Sequence, residues 1–439
     1  MHKTSSTLIF TAALTAISAS SCKDKDYFDK DEYEDLVAAA FPVADIDPGH
    51  DWQTVAATTV RARVETAANG TYRIYDRNPL TDRNVTLLAE GQAYAGRTIE
   101  TALSVEATAE SIYIALTDGD GKTTVYRRAI TADGISTSIG GGDSEGSRTG
   151  LNVKETPMSL QYCFEDAFPQ PDDFDYNDII MTLTPSIVQD EPYKMRLTVS
   201  LDAVGSTKQI AAALRLKGIK AKDILKIETD GEWFDATKRS PASIGIIEAD
   251  RSMLVAGTIT DEAVIYLFND AHWAMDPVKA MNGSVFRPYY NTKRDNTVAG
   301  GNNKEELLTD AADISPCTCT MTIMFSSEQT ARSVSAANID AFIIESYNGI
   351  NWEVHTFPFK LDKVLYDYDT SAYKDKFAWA LLLPGGTRHA REGKAIGSYS
   401  GANVLGGAFQ TFGHSFAEWV QNHNEARDWY RYPLASMTY

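Results

Sequence analysis

Apolar residues in this chain recur mostly at every second position, and that spacing restricts the fold more than any other feature. Val60, Ala62 and Val64 alternate with Arg61, Arg63 and Glu65; Ile112, Ile114 and Leu116 repeat the pattern, and so do Leu197, Val199 and Leu201. Successive strand side chains point to opposite faces, so this spacing predicts half-buried strands. Asn69-Gly70 and Asp118-Gly119-Asp120-Gly121 supply tight turns between such runs; a hairpin explains the second without a metal. Val264–Phe268, Thr320–Phe325 and Ala341–Glu345 read as further strands. Helical spacing enters near the end, at Phe416, Trp419, Val420 and His423, where Ser415 and Glu418 form a capping box. Ser136–Gly150 has five glycines and no apolar period, and it reads as a linker. The expected fold is therefore mainly β: an antiparallel β-sandwich over residues 51–135, a Gly/Ser linker over 136–150, and a larger β-rich domain over 151–439 with a short C-terminal helix.

The first fifty residues carry an address. His2 and Lys3 precede a mostly apolar run, Leu8–Ile17, which is too short to span a bilayer and reads as a signal peptide, residues 1–21. Ala19, Ser20 and Ser21 lead into Cys22, an arrangement that resembles the lipobox at which bacterial lipoproteins are cut and acylated. Lys23–Asp35 holds seven acids and three lysines with almost nothing that packs, so residues 22–50 suit a solvated acidic tether. An acidic run directly after the acylated Cys also resembles the surface-export signal of Bacteroides-type lipoproteins. Cys22 is the expected lipidation site, and the membrane the expected partner through that anchor. The expected location is the outer membrane, with the protein at the cell surface. The net charge of −19 argues against nucleic acid as a partner.

One constellation concentrates charge. Glu165–Asp178 contains six carboxylates, no Lys and no Arg, and an apolar strand, Ile179–Leu183, follows directly. Packing these acids beside a buried strand costs energy through mutual repulsion unless a cation or hydrogen-bond donors compensate. Asp173, Asp175 and Asn177 stand at alternate positions and can converge like the first ligands of a calcium loop, with Asp178 and Asp166 as further ligands. Oxygen-only ligands favour a hard cation, and calcium is the expected cofactor. Asp178 stands where an EF-hand requires Gly, and Thr184 where it requires Glu, so this is not an EF-hand. A turn in which Asp and Asn side chains cap backbone N–H groups is the competing reading.

Cys163-Phe164-Glu165-Asp166 followed by Asp175-Tyr176-Asn177-Asp178-Ile179-Ile180 resembles the signature of the LruC-domain family, which comprises envelope and surface proteins, many of them Bacteroides-type lipoproteins. Phe268-Asn269-Asp270, Ile339–Ile343 with Glu353-Val354-His355, and Ala378–Leu381 extend the likeness over about residues 155–435. The resemblance implies an extracytoplasmic β-rich domain with no established enzymatic activity.

Catalytic patterns are few. Gly142-Asp143-Ser144-Glu145-Gly146 matches a nucleophile elbow by letter but lacks the strand before it and the helix after it. Glu353 and His355 share a strand face, yet no nucleophile accompanies them. Cys163, Cys317 and Cys319 read as buried free thiols, with a bridge from Cys163 to either of the others as the alternative. The expected function is therefore non-catalytic: a surface lipoprotein whose calcium-stabilised β-domain binds or presents an extracellular protein or glycan. A fimbrillin-like or adhesin subunit is the second reading. Glycan capture by Trp233, Trp273 and Trp352 is the third.

Overall fold

The computed structural model describes residues 43, 45–66, 69–168, 173–230, 233–234, 253–257, 261–276, 289–292, 311–347, 350–357, 378–397 and 407–439. Cys22, the signal peptide, all but the last few residues of the tether, and Asp172 lie outside them.

The first alternating run becomes β1 (Val55–Val64), which buries Val60, Ala62 and Val64 and exposes Arg61 and Arg63. Then come β2 (Gly70–Tyr75), β3 (Asn84–Ala93), β4 (Thr98–Glu106), β5 (Ser111–Thr117), β6 (Lys122–Ala129), β7 (Ile135–Ile139), β8 (Gly146–Thr149) and β9 (Lys154–Pro157). They form a three-stranded sheet, β4-β1-β7, and a six-stranded sheet, β8-β6-β5-β2-β3-β9. Val60, Val64 and Leu103 of the first sheet share one core with Ile74, Ile112 and Ile114 of the second. This is a sandwich, as the period predicts.

Two features correct the sequence reading. Residues 136–150 are not a linker, because all of β8 and all but the first residue of β7 lie within them. β7 runs parallel to β1, with Val60 opposite Ile135, and buries Ile135 and Ile139. β8 closes the edge beside β6, where Arg148 pairs with Thr123. Strand pairing uses backbone N–H and C=O groups, so a run without an apolar period can still join a sheet edge. Gly140, at φ 96°, makes the turn out of β7 in a conformation that a side chain would resist. The parallel pairs β1–β7 and β3–β9 also make the sandwich mixed, where an all-antiparallel one was expected.

The second half continues with β10 (Leu160–Phe164), β11 (Ile179–Ile187), β12 (Lys194–Ala203), β13 (Ile210–Lys220), β14 (Ile224–Thr229), β15 (Leu254–Ala256), β16 (Glu262–Phe268), α1 (Ala271–Met275), β17 (Tyr289–Tyr290), β18 (Ala311–Ala312), β19 (Cys317–Phe325), α2 (Glu328–Arg332), β20 (Ile339–Tyr347), β21 (Ile350–His355), β22 (Ala380–Pro384), β23 (Gln410–Thr411), β24 (His414–Ser415) and α3 (Phe416–Gln421). Its two large sheets are β14-β19-β12-β11-β10-β22 and β15-β16-β13-β20-β21. Leu197, Val199 and Leu201 of the first, and Leu214, Leu216 and Ile343 of the second, are fully buried. The Tyr162 hydroxyl on β10 donates across to the Ile339 carbonyl on β20 at 2.8 Å.

The sandwich is stitched to this second half along its length. Thr54 N–H donates to the Leu382 carbonyl at 2.9 Å, Arg332 Nη1 to the Tyr72 hydroxyl at 2.9 Å, and Ala336 N–H to Ser104 Oγ at 2.8 Å. Residues 42–439 accordingly make one compact unit. α3 starts with both halves of the expected capping box, Ser415 Oγ accepting from Glu418 N–H and Glu418 accepting from Ser415 N–H. It buries Trp419 against Trp429, whose ring also meets Phe409 and Phe416 edge-on.

Candidate metal centre

The acidic motif bridges the paired ends of β10 and β11, where Phe164 lies opposite Ile179. Glu165 and Asp178 therefore start out as neighbours, and Asp178 Oδ2 accepts from Asp166 N–H at 2.7 Å. Between them Phe174 (φ 53°) and Tyr176 (φ 52°) take left-handed backbone conformations that bulky residues rarely adopt. Both rings are buried, and the Tyr176 hydroxyl is tied to the Ala378 carbonyl at 2.5 Å. The aromatic anchors thus hold a backbone that turns Asp173 and Asp175 towards Glu165.

Glu165, Asp173 and Asp175 each present a carboxylate oxygen there, all within 4.8 Å of one another. Glu165 is fully buried, Asp175 is 2% exposed and Asp173 is exposed. Glu165 Oε1 accepts from Tyr176 N–H, while Asp175 accepts from Asn177 N–H at 3.1 Å and Gly393 N–H at 2.8 Å. Asp175 is held well above the usual carboxylate range, first by burial and then by the charges of Asp173, Glu392 and Glu165. The Gly393 hydrogen bond opposes this without cancelling it. Those three neighbouring charges are all negative, which is the arrangement a bound cation would relieve.

The other described acids of the motif, Asp166 and Asp178, are engaged elsewhere. Asp166 meets Lys208 Nζ at 3.0 Å and accepts from Ser206 Oγ, and Lys208 reaches Glu345 at 3.3 Å. Burial works against the Lys208 ammonium, but Asp166 and Glu345 outweigh it and raise its pKa. Asp178 caps the Asp166 amide. Asn177 donates through Nδ2 to the Ala390 carbonyl at 3.0 Å, and its Oδ1 abuts Gly205. Of the five ligands expected from sequence, the structure brings Asp173 and Asp175 together with Glu165. It places Asp166 beside Lys208, sets Asp178 on the Asp166 amide and turns Asn177 towards Gly205. Glu165 was legible as a neighbouring acid. Glu392 was not, since nothing in the stretch Arg391–Lys394 marks it.

Other sequence candidates take structural roles. His355 is buried, with Nδ1 2.8 Å from Asp340 Oδ2 and Nε2 3.2 Å from Glu353. Trp233 and Trp352 are buried and Trp273 half-buried, so the first two cannot offer a ring face to a sugar. Cys163, Cys317 and Cys319 form no disulfide among the described residues, and burial pushes the Cys163 thiol up to about 12.

A family profile described as a domain of unknown function, DUF4842, matches residues 191–430, more than half of the chain. The chain belongs to the DUF4842 family. The DUF4842 region begins after the acidic motif and includes Glu392 and Gly393, so the candidate centre is completed from inside it. The LruC-domain likeness rests chiefly on Cys163–Ile180, ahead of that region. Among solved structures, a candidate lipoprotein from Bacteroides ovatus aligns over 84% of this chain and 99% of its own, at 16% identity and a TM-score of 0.47. The full-length major pilin SpaD from Corynebacterium diphtheriae aligns over 68% of this chain and 63% of its own, at 9% identity and a TM-score of 0.14. No curated protein matches the chain.

Proposed function

We propose that this DUF4842 protein is a non-catalytic, lipid-anchored envelope protein whose β-domain is stabilised by calcium and binds or presents a partner outside the cell. The observation that carries the calcium reading is the convergence of Glu165, Asp173 and Asp175, with the Glu392 charge beside them and Glu165 and Asp175 buried. Such acids repel one another unless protonated or bridged by a cation. The donor set is all oxygen, which suits calcium and not zinc. Glu165, Asp173 and Asp175 would hold the ion, which would supply charge compensation and a tie between the β10–β11 loop and the Gly393 turn.

A ligand that binds only the folded state stabilises it by about 2.7 kcal/mol at a hundredfold excess over Kd. Extracellular calcium sites commonly have Kd on the order of 10⁻⁴ to 10⁻³ M, so the effect is expected at millimolar calcium. Melting the full chain in calcium and in chelator should separate the two curves, and Asp175→Asn should bring them together. Coincident wild-type curves would leave the acids as a hydrogen-bonded turn. An equal response to magnesium would keep the site and remove its preference for calcium.

The lipid anchor rests on Cys22 and its flanking sequence. Cys22→Ala is expected to abolish labelling by a radiolabelled fatty acid and to release the protein from the membrane fraction. A labelled, membrane-bound variant would end the lipoprotein reading.

A further inference from the structure

The outward face of the six-stranded sheet in the second half carries an unusual row of polar residues. Gln161 on β10, Thr182 on β11 and Ser200 on β12 lie side by side, since Thr182 pairs with Ser200 and Gln161 with Thr182. At one end of this row is a pocket of about 490 Å³, within the size range of small-molecule clefts. Its floor is Gln161, Thr182, Ser200 and Asp202, and its wall is His389 and Tyr439, with Arg388 at the rim.

The floor is built rather than incidental. Asp202 accepts from Thr182 Oγ1 at 2.6 Å and from Ser200 Oγ at 2.5 Å, which fixes both carboxylate oxygens while leaving each with further acceptor capacity. Gln161 is only 3% exposed, yet its amide makes a single weak hydrogen bond among the described residues, Nε2 to Cys163 Sγ at 3.7 Å. Gln161 lines the pocket, and its amide keeps capacity for further hydrogen bonds there. The wall is equally fixed. Asn291 Nδ2 donates to the Asp202 carbonyl at 2.7 Å, and the His389 ring stacks on Tyr439 at 5.2 Å. Burial lowers His389 to about 4, so the ring is neutral and its Nε2–H donates to the Asn291 carbonyl at 2.8 Å.

We propose that this pocket binds a saccharide unit. A sugar presents hydroxyls that both donate and accept, and the floor offers the matching set: a carboxylate, an amide and two hydroxyls. Its C–H face can lie on an aromatic wall. The carboxylate at the floor and the guanidinium at the rim offset each other, which favours a neutral ligand over a cation or an anion. The sandwich carries a larger groove of about 1020 Å³, but Arg61 there already pairs with Glu100, and Arg332 with Glu328. The sugar assignment is independent of the calcium centre.

The test is an array of immobilised oligosaccharides covering neutral hexoses, N-acetylhexosamines and uronic acids, probed with the full chain in detergent. Calorimetric titration of the strongest array sugar follows, with calcium and with chelator. Asp202→Asn and Gln161→Leu should each weaken binding at least tenfold without lowering the melting temperature by more than a few degrees. Arg97→Ala, in the larger groove, should bind as wild type. If either floor variant fails to fold, the rim variant Arg388→Ala and the wall variant Tyr439→Ala decide, with at least a threefold loss expected in each. An empty array, unchanged affinity in the variants that fold, or preferential binding of free amino acids to the same pocket would each overturn the assignment.

Discussion

Arg215→Ala is expected to lower the stability of the folded unit by about 3–5 kcal/mol, the range for removing one partner of a buried ion pair. Arg215 lies on β13 between β16 and β20 and is almost fully buried. Its Nε and Nη2 meet Asp340 Oδ2 at 2.9 and 2.8 Å, and its Nη1 meets Glu262 at 3.1 Å. Asp340 is fully buried and accepts through its other oxygen from Thr356 and Phe357 N–H at 3.2 and 3.1 Å. Removing the guanidinium leaves that carboxylate with only His355 to oppose its charge among the side chains described around it. Urea denaturation measures the loss, and a change under 1 kcal/mol would mean that His355 alone sustains the site.

The same network sets a pH window. Burial alone would raise Asp340, but the His355 charge and hydrogen bond, with Arg215, outweigh it and hold the carboxyl below its ordinary 3.8. Its contribution is therefore present above about pH 4 and lost as pH falls through the lowered value. Burial alone would lower His355, but Asp340 and Glu353 outweigh it and raise the imidazole above 6.5. That contribution is complete below about pH 6.5 and lost as pH rises through the raised value. The contribution of this pair should thus be greatest between about pH 4 and 6.5. His355→Gln should remove the alkaline limb.

Gly205→Ala is the second large effect, with a loss of about 3 kcal/mol expected, at the top of the usual range for overpacking. A Cβ at this position would overlap Asn177 Oδ1 and lie 2.8 Å from the Asn177 carbonyl oxygen. The amide cannot swing away cheaply. It is fully buried and committed through Nδ2 to Ala390, while Gly205 N–H itself donates to the Asn177 carbonyl at 3.0 Å. Because Asn177 is next in the chain but one to Asp175, the displacement should also weaken the calcium response. Gly205→Ala that melts as wild type and keeps the full calcium shift would show that the loop yields without cost.

Local sequence determined a great deal. Val60, Ala62 and Val64 had to face one way, Ser415 and Glu418 had to cap a helix, and the acids between Glu165 and Asp178 had to crowd the mouth of a strand pair. Each of these follows from residues a few positions apart, through strand alternation, helix capping or charge repulsion. The tertiary structure decided partners. Ser136–Gly150 has no apolar period, so sequence shows no reason for it to join a sheet, yet β7 and β8 pair through backbone groups that every residue but proline carries in full. The division of the acids was likewise invisible. Lys208 neutralises Asp166 from some forty residues downstream, while the Glu392 charge and the Gly393 amide reach Asp175 from more than two hundred. Alternation encodes which face a side chain takes and carries no record of what will lie opposite. Which acids are left to share a cation was therefore settled only when β10, β11, the Lys208 turn and the Gly393 turn packed together.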